Sequence, residues 1–271
     1  MADRRVVLIT GGSRGIGASS AVHFARAGYN VVVVARSTDA LQDVAGRVEA
    51  EGVEALALPG DVSDLEFCRD AVEQTAQRWG RLDVLVNNAA WRTVESMRTI
   101  SVENWEKTVR ICLTAPAFLA RWAAKHMERA GRGGVILNIS SMMSQQAAGN
   151  TPAYVACKGA LDSLSFELAT LYGPVNIRVV AINPGWIDTE MSGDYVTPDG
   201  RNVTAELTEK AADMVPLRRA GTPDEIAAAL VWVAGDQASY VTGTRFVIDG
   251  GWQHQHNPYS LKKLMLPGDF P

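Results

Sequence analysis

Cysteine is scarce. Cys68, Cys112 and Cys157 are the three in 271 residues, spaced neither as a metal-ligand set nor as a redox pair. An odd, sparse complement of this kind excludes a disulfide framework and fits a reducing compartment. Long hydrophobic runs are missing too: stretches such as Val31–Ala35 fall far short of the roughly 20 apolar residues that span a bilayer as a helix. Only Met1 to Arg5 precede the first apolar run, which leaves no room for a secretory hydrophobic region. A cytoplasmic location and no membrane partner are therefore expected. Nor is there an excess of positive charge. With 26 Lys and Arg against 30 Asp and Glu, the formal net charge is −4, which argues against a nucleic-acid partner.

What is present reads as an ordinary globular chain, 47% hydrophobic and 21% charged, long enough to bury a sizeable core. Short β-branched runs at Val6–Ile9, Val31–Val34, Val53–Leu58, Leu82–Val86, Val135–Ile139, Ile177–Ile182 and Phe246–Ile248 alternate with helical periodicity near 16–27, 39–51, 64–79, 102–130, 153–172 and 224–235. Nearly all the runs are apolar on both faces, as in strands covered by helices on each side. Ser63–Glu66 and Thr222–Glu225 have the form of capping boxes, the second with Pro223 at the first helical position. Repeated strand–helix alternation predicts an α/β fold: a single-domain, Rossmann-type, doubly wound parallel sheet of about seven strands with helices on both faces. The domain is expected over 1–252, with a long loop at 190–216 that has room for a short helix, and a C-terminal tail at 253–271.

The first run leads into Thr10-Gly-Gly-Ser-Arg-Gly-Ile-Gly17 and then a helix. Gly11, Gly15 and Gly17 permit a tight turn, close approach to a pyrophosphate and packing of the helix on the sheet. The helix N-terminus favours phosphate charge. A glycine-rich turn without a ligand is the bland alternative, but its place after the first strand of a doubly wound pattern favours a dinucleotide. At the end of the second strand, where a carboxylate would hold a ribose 2′-hydroxyl, stand Ala35 and Arg36, with Arg14 in the glycine turn. Two guanidiniums and no acid suit the 2′-phosphate of NADP(H); two solvated surface arginines are the other reading.

Tyr154 and Lys158 are four apart on a predicted helix and so share a face. An ammonium held beside a phenol favours the phenolate, and such a phenol can exchange a proton with a substrate oxygen. Ser141, just past the fifth strand, can hold the same oxygen. On spacing alone, a surface helix pair is the stronger reading of Tyr154 and Lys158, since Tyr and Lys four apart are common and most such pairs are that.

Taken together, Thr10–Gly17, Asp61-Val62, Asn87-Asn-Ala-Ala90, Ser140-Ser141, Tyr154-Val-Ala-Cys-Lys158, Asn183-Pro-Gly185 and Asp249-Gly-Gly251 resemble the classical short-chain dehydrogenase/reductase superfamily, most nearly its 3-oxoacyl-carrier-protein reductase-like members. The resemblance runs from about Arg5 to Trp252. It implies an NADP(H)-dependent oxidoreductase acting on a small-molecule ketone or secondary alcohol. Ser141 would orient the carbonyl, Tyr154 would be the acid/base, and Lys158 would support Tyr154 and bind the nicotinamide ribose. Ser13, Arg14 and Ile16 of the glycine turn would join its three glycines at the cofactor. Asp61 and Val62 would contact the adenine, Asn88 would lie along the cofactor, and Ile187 and Thr189 would hold the carboxamide.

Two positions depart from the pattern. Ala90 stands where Gly is usual. Cys112 stands seven residues after Trp105, where the family carries an Asn that bends the helix and holds a water in the proton relay. A thiol is a weak hydrogen-bonding group, so the resemblance implies either an altered relay or a buried small hydrophobe. An NAD-linked dehydrogenase and a dinucleotide-binding sensor or scaffold of weak activity stay open as alternatives.

Trp91, Met142, Met143, Gln145, Gln146, Trp186 and Tyr195 are expected around the substrate, although core packing accounts for the tryptophans and methionines as well. Members that the chain resembles are usually homotetramers, and Trp122, Met127, Leu161, Leu164 and Leu168 are candidates for an interface, or for packing on the chain's own sheet. The tail from Tyr259 to Phe270 is expected to cover a neighbouring subunit or close a pocket. No metal site is expected from His23, His126, His254 and His256; His254 and His256 with Asp269 are the one grouping left open.

Overall fold

Alternate residues of a strand point to opposite faces, and the central strands are apolar at both. Val7 and Ile9 therefore enter one core while Val6 and Leu8 enter another. The computed structural model, which describes residues 4–190, 197 and 199–270, shows how helices cover both faces.

Seven strands are described: β1 Val6–Thr10, β2 Asn30–Ala35, β3 Ala55–Pro59, β4 Val84–Asn87, β5 Gly134–Ile139, β6 Ile177–Pro184 and β7 Thr244–Ile248. They form one parallel sheet in the order β3-β2-β1-β4-β5-β6-β7. On one face lie α1 (Gly15–Arg26), α2 (Thr38–Glu49) and α8 (Pro223–Ala234), which bring Phe24, Leu41 and Leu230 to the core of Val7 and Ile9. On the other, α3 (Leu65–Trp79), α5 (Ala115–Ala130) and α6 (Pro152–Tyr172) bring Val72, Leu119 and Cys157 to the core of Val6 and Leu8. This is the predicted doubly wound α/β sheet. Its order reverses direction between β1 and β4, and the crevice over the strands' carboxyl ends at such a point is where these folds bind ligands.

Several local expectations need correction. The stretch 102–130 is not one α-helix: α4 (Val102–Val109) passes through a π-helical turn, Arg110–Thr114, into α5. Pro116 has no N–H to give the Cys112 carbonyl, and Ala115 N reaches back five residues to Arg110 O. The third helix is capped by Asp64, not Ser63, because the Asp64 carboxylate accepts from Glu66 N and Phe67 N. The Thr222–Glu225 capping box forms as expected. β7 is half-buried along its whole length, since an edge strand has one neighbour. Within 190–216 lies α7 (Thr204–Met214), and the tail carries a further helix, α9 (Tyr259–Met265). Met127 and Leu161 are fully buried in this chain's own core and offer no interface; Trp122, Leu164 and Leu168 are half-buried.

Candidate active site

The loops at the carboxyl ends of the strands enclose a cleft of about 990 Å³. Its first wall is the turn after β1. Gly11 and Gly15 have φ of +64° and +51°, left-handed values that favour glycine, and both line the cleft. Gly17 does not. A Cβ there would collide with Gly11 O and Asn88 Nδ2, so its role is to let α1 close against the turn. Asn88 braces the same turn, its amide donating to Thr10 O at 2.9 Å and Gly11 O at 3.1 Å. The Thr10 hydroxyl in turn accepts from the amides of Asn88 and Ala89. The turn after β1 is thus tied by hydrogen bonds to the segment after β4.

Ser13, Arg14, Ile16, Arg36, Asp61, Val62 and Asn88 all line the cleft, as do Ile187 and Thr189 from the segment after β6, Thr189 lying close to Gly15. Arg36 is exposed and has no hydrogen bond or ion pair among the described residues. Arg14 differs: its guanidinium donates to Glu190 at 2.9 Å. The Asp61 carboxylate caps its own turn by accepting from Ser63 N.

The middle of the cleft is built by β5 and α6. Tyr154 and Lys158 share a helix face, and the Lys158 ammonium lies 5.2 Å from the centre of the Tyr154 ring. Lys158 is 2% exposed, and its ammonium donates to Ile139 O at 2.6 Å, which satisfies only part of a buried charge's demand. Ser140 Oγ donates to Lys158 O, tying helix and strand together. Ser141, Tyr154 and Lys158 all face the same cleft. Ser141 is held by two contacts: its hydroxyl accepts from Met143 N, and its carbonyl accepts from the Asn183 amide at 2.9 Å.

That Asn183 amide also reaches Ser144 Oγ and both oxygens of Asp162. Asp162 is a buried carboxylate one turn beyond Lys158. Sequence reasoning missed it, although an acid at i+4 on the Tyr–Lys face was a readable signal. Trp252 and Arg92 also line the cleft unforeseen, whereas Gln145 does not. Tyr195, Gly193 and Pro198 lie outside the described residues.

Cys112 is neither idle nor merely apolar. Its thiol donates to Trp91 O at 3.2 Å and accepts from Trp91 N at 3.3 Å, fixing the backbone just after Ala90. Burial pushes the neighbouring Cys157 thiol up to about 12. Among the described residues no three His, Cys, Asp or Glu side chains gather as a metal-binding group, and no helix is long and apolar enough to cross a membrane.

A family model described as enoyl-(acyl carrier protein) reductase matches residues 11–253, which spans the glycine turn, Ser141, Tyr154 and Lys158. The chain belongs to the short-chain dehydrogenase/reductase family. It is therefore an oxidoreductase of a family that binds nicotinamide dinucleotides. It is 36% identical to an uncharacterised oxidoreductase of Thermotoga maritima, over 93% of this chain and 96% of that one. It is 34% identical to the L-rhamnose 1-dehydrogenase (NAD(P)(+)) of Azotobacter vinelandii, over 91% and 96%. Among solved structures, L-sorbose reductase from Gluconobacter frateurii, complexed with NADPH and L-sorbose, superposes with a TM-score of 0.87 at 33% identity, covering 92% of this chain and 96% of that one.

Proposed function

We propose that this family member transfers a hydride between NADP(H) and a ketone or secondary alcohol. The observation that carries the reading is the convergence of Ser141, Tyr154 and Lys158 on one cleft with the left-handed glycine turn at its other end. Support for a dinucleotide there comes from Gly11 and Gly15, whose left-handed backbone and close neighbours Ala89, Asn88 and Thr189 keep side chains out of the turn, and from Arg36, exposed after β2 with no partner among the described residues. Gly11, Ser13, Gly15 and Ile16 would hold the pyrophosphate, Arg36 and Arg14 the 2′-phosphate, Asp61 and Val62 the adenine, and Ile187 and Thr189 the nicotinamide end. Bound there, the nicotinamide supplies or accepts the hydride.

The protein's own part is proton transfer and orientation. The Tyr154 hydroxyl gives a proton to the substrate oxygen in reduction and takes it back in oxidation. Ser141 Oγ donates a second hydrogen bond to that oxygen, and the Lys158 ammonium stabilises the phenolate left on Tyr154. Tyr154→Phe removes the proton donor and should lower kcat by roughly two to four powers of ten in an NADPH-absorbance assay over a carbonyl panel. Full activity in that variant sinks the assignment.

Glu190 beside Arg14 favours a second reading, NAD-linked oxidation, because an acid near the ribose opposes phosphate. Affinities for NADPH and NADH, before and after Arg36→Asp, separate the two. Tighter NADH binding by the unaltered protein refutes the phosphate argument. The proposal includes a homotetramer in the cytoplasm. Phe166 and Leu171, exposed on α6 beside half-buried Leu164 and Leu168, support a subunit contact, and the native mass in solution tests it.

A further inference from the structure

We infer that the substrate end of the cleft is built for a carbonyl carried on a flat, apolar ring system, an aryl or fused-ring ketone, in preference to a polyhydroxylated one. The inference rests on the reductase reading and adds the substrate class to it.

Strand order divides the cleft. The loops after β1, β2 and β3 carry Gly11–Ile16, Arg36 and Asp61 at one end, so the opposite end belongs to the loops after β4 through β7. Those loops deliver Trp91 after β4, Met142 and Met143 after β5, Trp186 after β6 and Trp252 after β7. Three indoles from three separate loops, each half-buried, form an aromatic lining, and the methionines supply an adaptable apolar surface beside it.

Each indole rides on a fixed backbone. Trp91 is clamped by Cys112, and one face of its ring is covered by the Lys107 ammonium at 3.8 Å. The Trp186 carbonyl accepts from Gly221 N at 2.9 Å. The turn bearing Trp252 is held by Asp249, whose carboxylate accepts from Gly251 N and Gln253 N. Gln146 Nε2 then donates to Gln253 O at 2.7 Å, which joins the β5 loop to the β7 loop. Walls fixed before the ligand arrives lose little ordering entropy on binding.

Among the described residues, polar groups at this end are few, and apart from Ser141, Tyr154, Lys158 and the buried Trp91 Nε1 they are committed. The carboxylates lining the cleft among the described residues are Asp61 and Glu190; the first lies at the β3 end and the second is paired with Arg14. The Gln146 amide is used on Gln253, and Arg92 already has a partner within the fold. A sugar would need several free, aligned acceptors to replace its lost hydration. A flat ring needs aromatic faces, which are there.

The test pairs turnover with binding. kcat/KM with NADPH is measured for acetonaphthone, tetralone, butanone and fructose, and acetonaphthone binding to the NADP-loaded protein is followed by calorimetry. The fused-ring ketones should lead by roughly tenfold or more, and Trp252→Ala or Trp186→Ala should weaken acetonaphthone binding roughly fivefold to tenfold. Trp186→Phe, which keeps a ring, should restore most of it. Equal or better use of fructose or butanone overturns the inference while leaving the reductase reading intact. So does acetonaphthone binding that is absent, or unmoved in folded tryptophan variants. Saturable, tryptophan-dependent binding without turnover of any ketone has the reverse meaning: the ring site stands and the reductase reading falls.

Discussion

Asn183 shows how much of the site depends on residues that never meet a substrate. Its amide joins the Ser141 carbonyl to the buried Asp162 carboxylate, so Asn183→Ala leaves a buried acid without its donor. That loss should cost about 1–3 kcal/mol of stability, read as a lower midpoint in denaturant, and it should lower kcat by loosening Ser141. Asp162→Asn should recover stability more than Asp162→Ala does. The cysteines give a second check at this scale. Cys68 and Cys157 are each pushed up to about 12 by burial, and Cys112 is fully buried. A thiol reagent at mildly alkaline pH should therefore label none of the three until the protein is unfolded; rapid native labelling would contradict the packing. The Ser–Tyr–Lys set was legible only as one of several motifs in family order, since spacing on one helix face left a surface pair open. Trp252 was not, because its place depends on where β7 ends relative to the cleft.

Elements were legible where period and punctuation agreed, as at the Thr222–Glu225 start of α8, whose capping box is complete. Thr222→Ala should cost about 1 kcal/mol. Arg219 donating to it, with help from Thr222 N, holds the Glu225 carboxyl down at about 2. A folded value below the unfolded one means the stabilisation is present above the ordinary glutamate range and is lost as pH falls toward that value. Exposure makes this contribution small.

The helix 102–130 was misread as continuous because a hydrophobic period does not reveal the hydrogen bond that Pro116 removes. The tail helix α9 escaped notice for a different reason: its support is not local. Ser260 donates through both its hydroxyl and its amide to Asp213 of α7, Arg218 joins the same carboxylate, and Gln255 Nε2 holds the Asp213 carbonyl. The Ser260 hydrogen bond, followed by Arg218, lowers the Asp213 carboxyl. Acidification through and below the ordinary aspartate range should thus loosen α9, seen as faster amide exchange in the tail at low pH while the sheet stays protected.

At the scale of the whole molecule, the cleft lies across both halves of one sheet, so a dinucleotide filling it must stabilise the fold as a unit. At a hundred times its dissociation constant, NADPH should add about 2.7 kcal/mol, or a rise in Tm of roughly 5–10 °C for a chain of this size. A smaller rise with NADH at equal concentration would follow from Arg36. The Arg14–Glu190 pair also spans the two halves, from the β1 turn to the segment after β6. Both side chains are about two-thirds exposed, so the pair is worth at most about 1 kcal/mol, and an incoming phosphate can claim the guanidinium cheaply. Glu190 then becomes a standing competitor for every anion that enters, and neutralising it as Glu190→Gln should tighten NADPH more than NADH. Cofactor discrimination in this chain would accordingly be adjustable from a residue on the opposite side of the sheet's midline, without touching the arginines themselves.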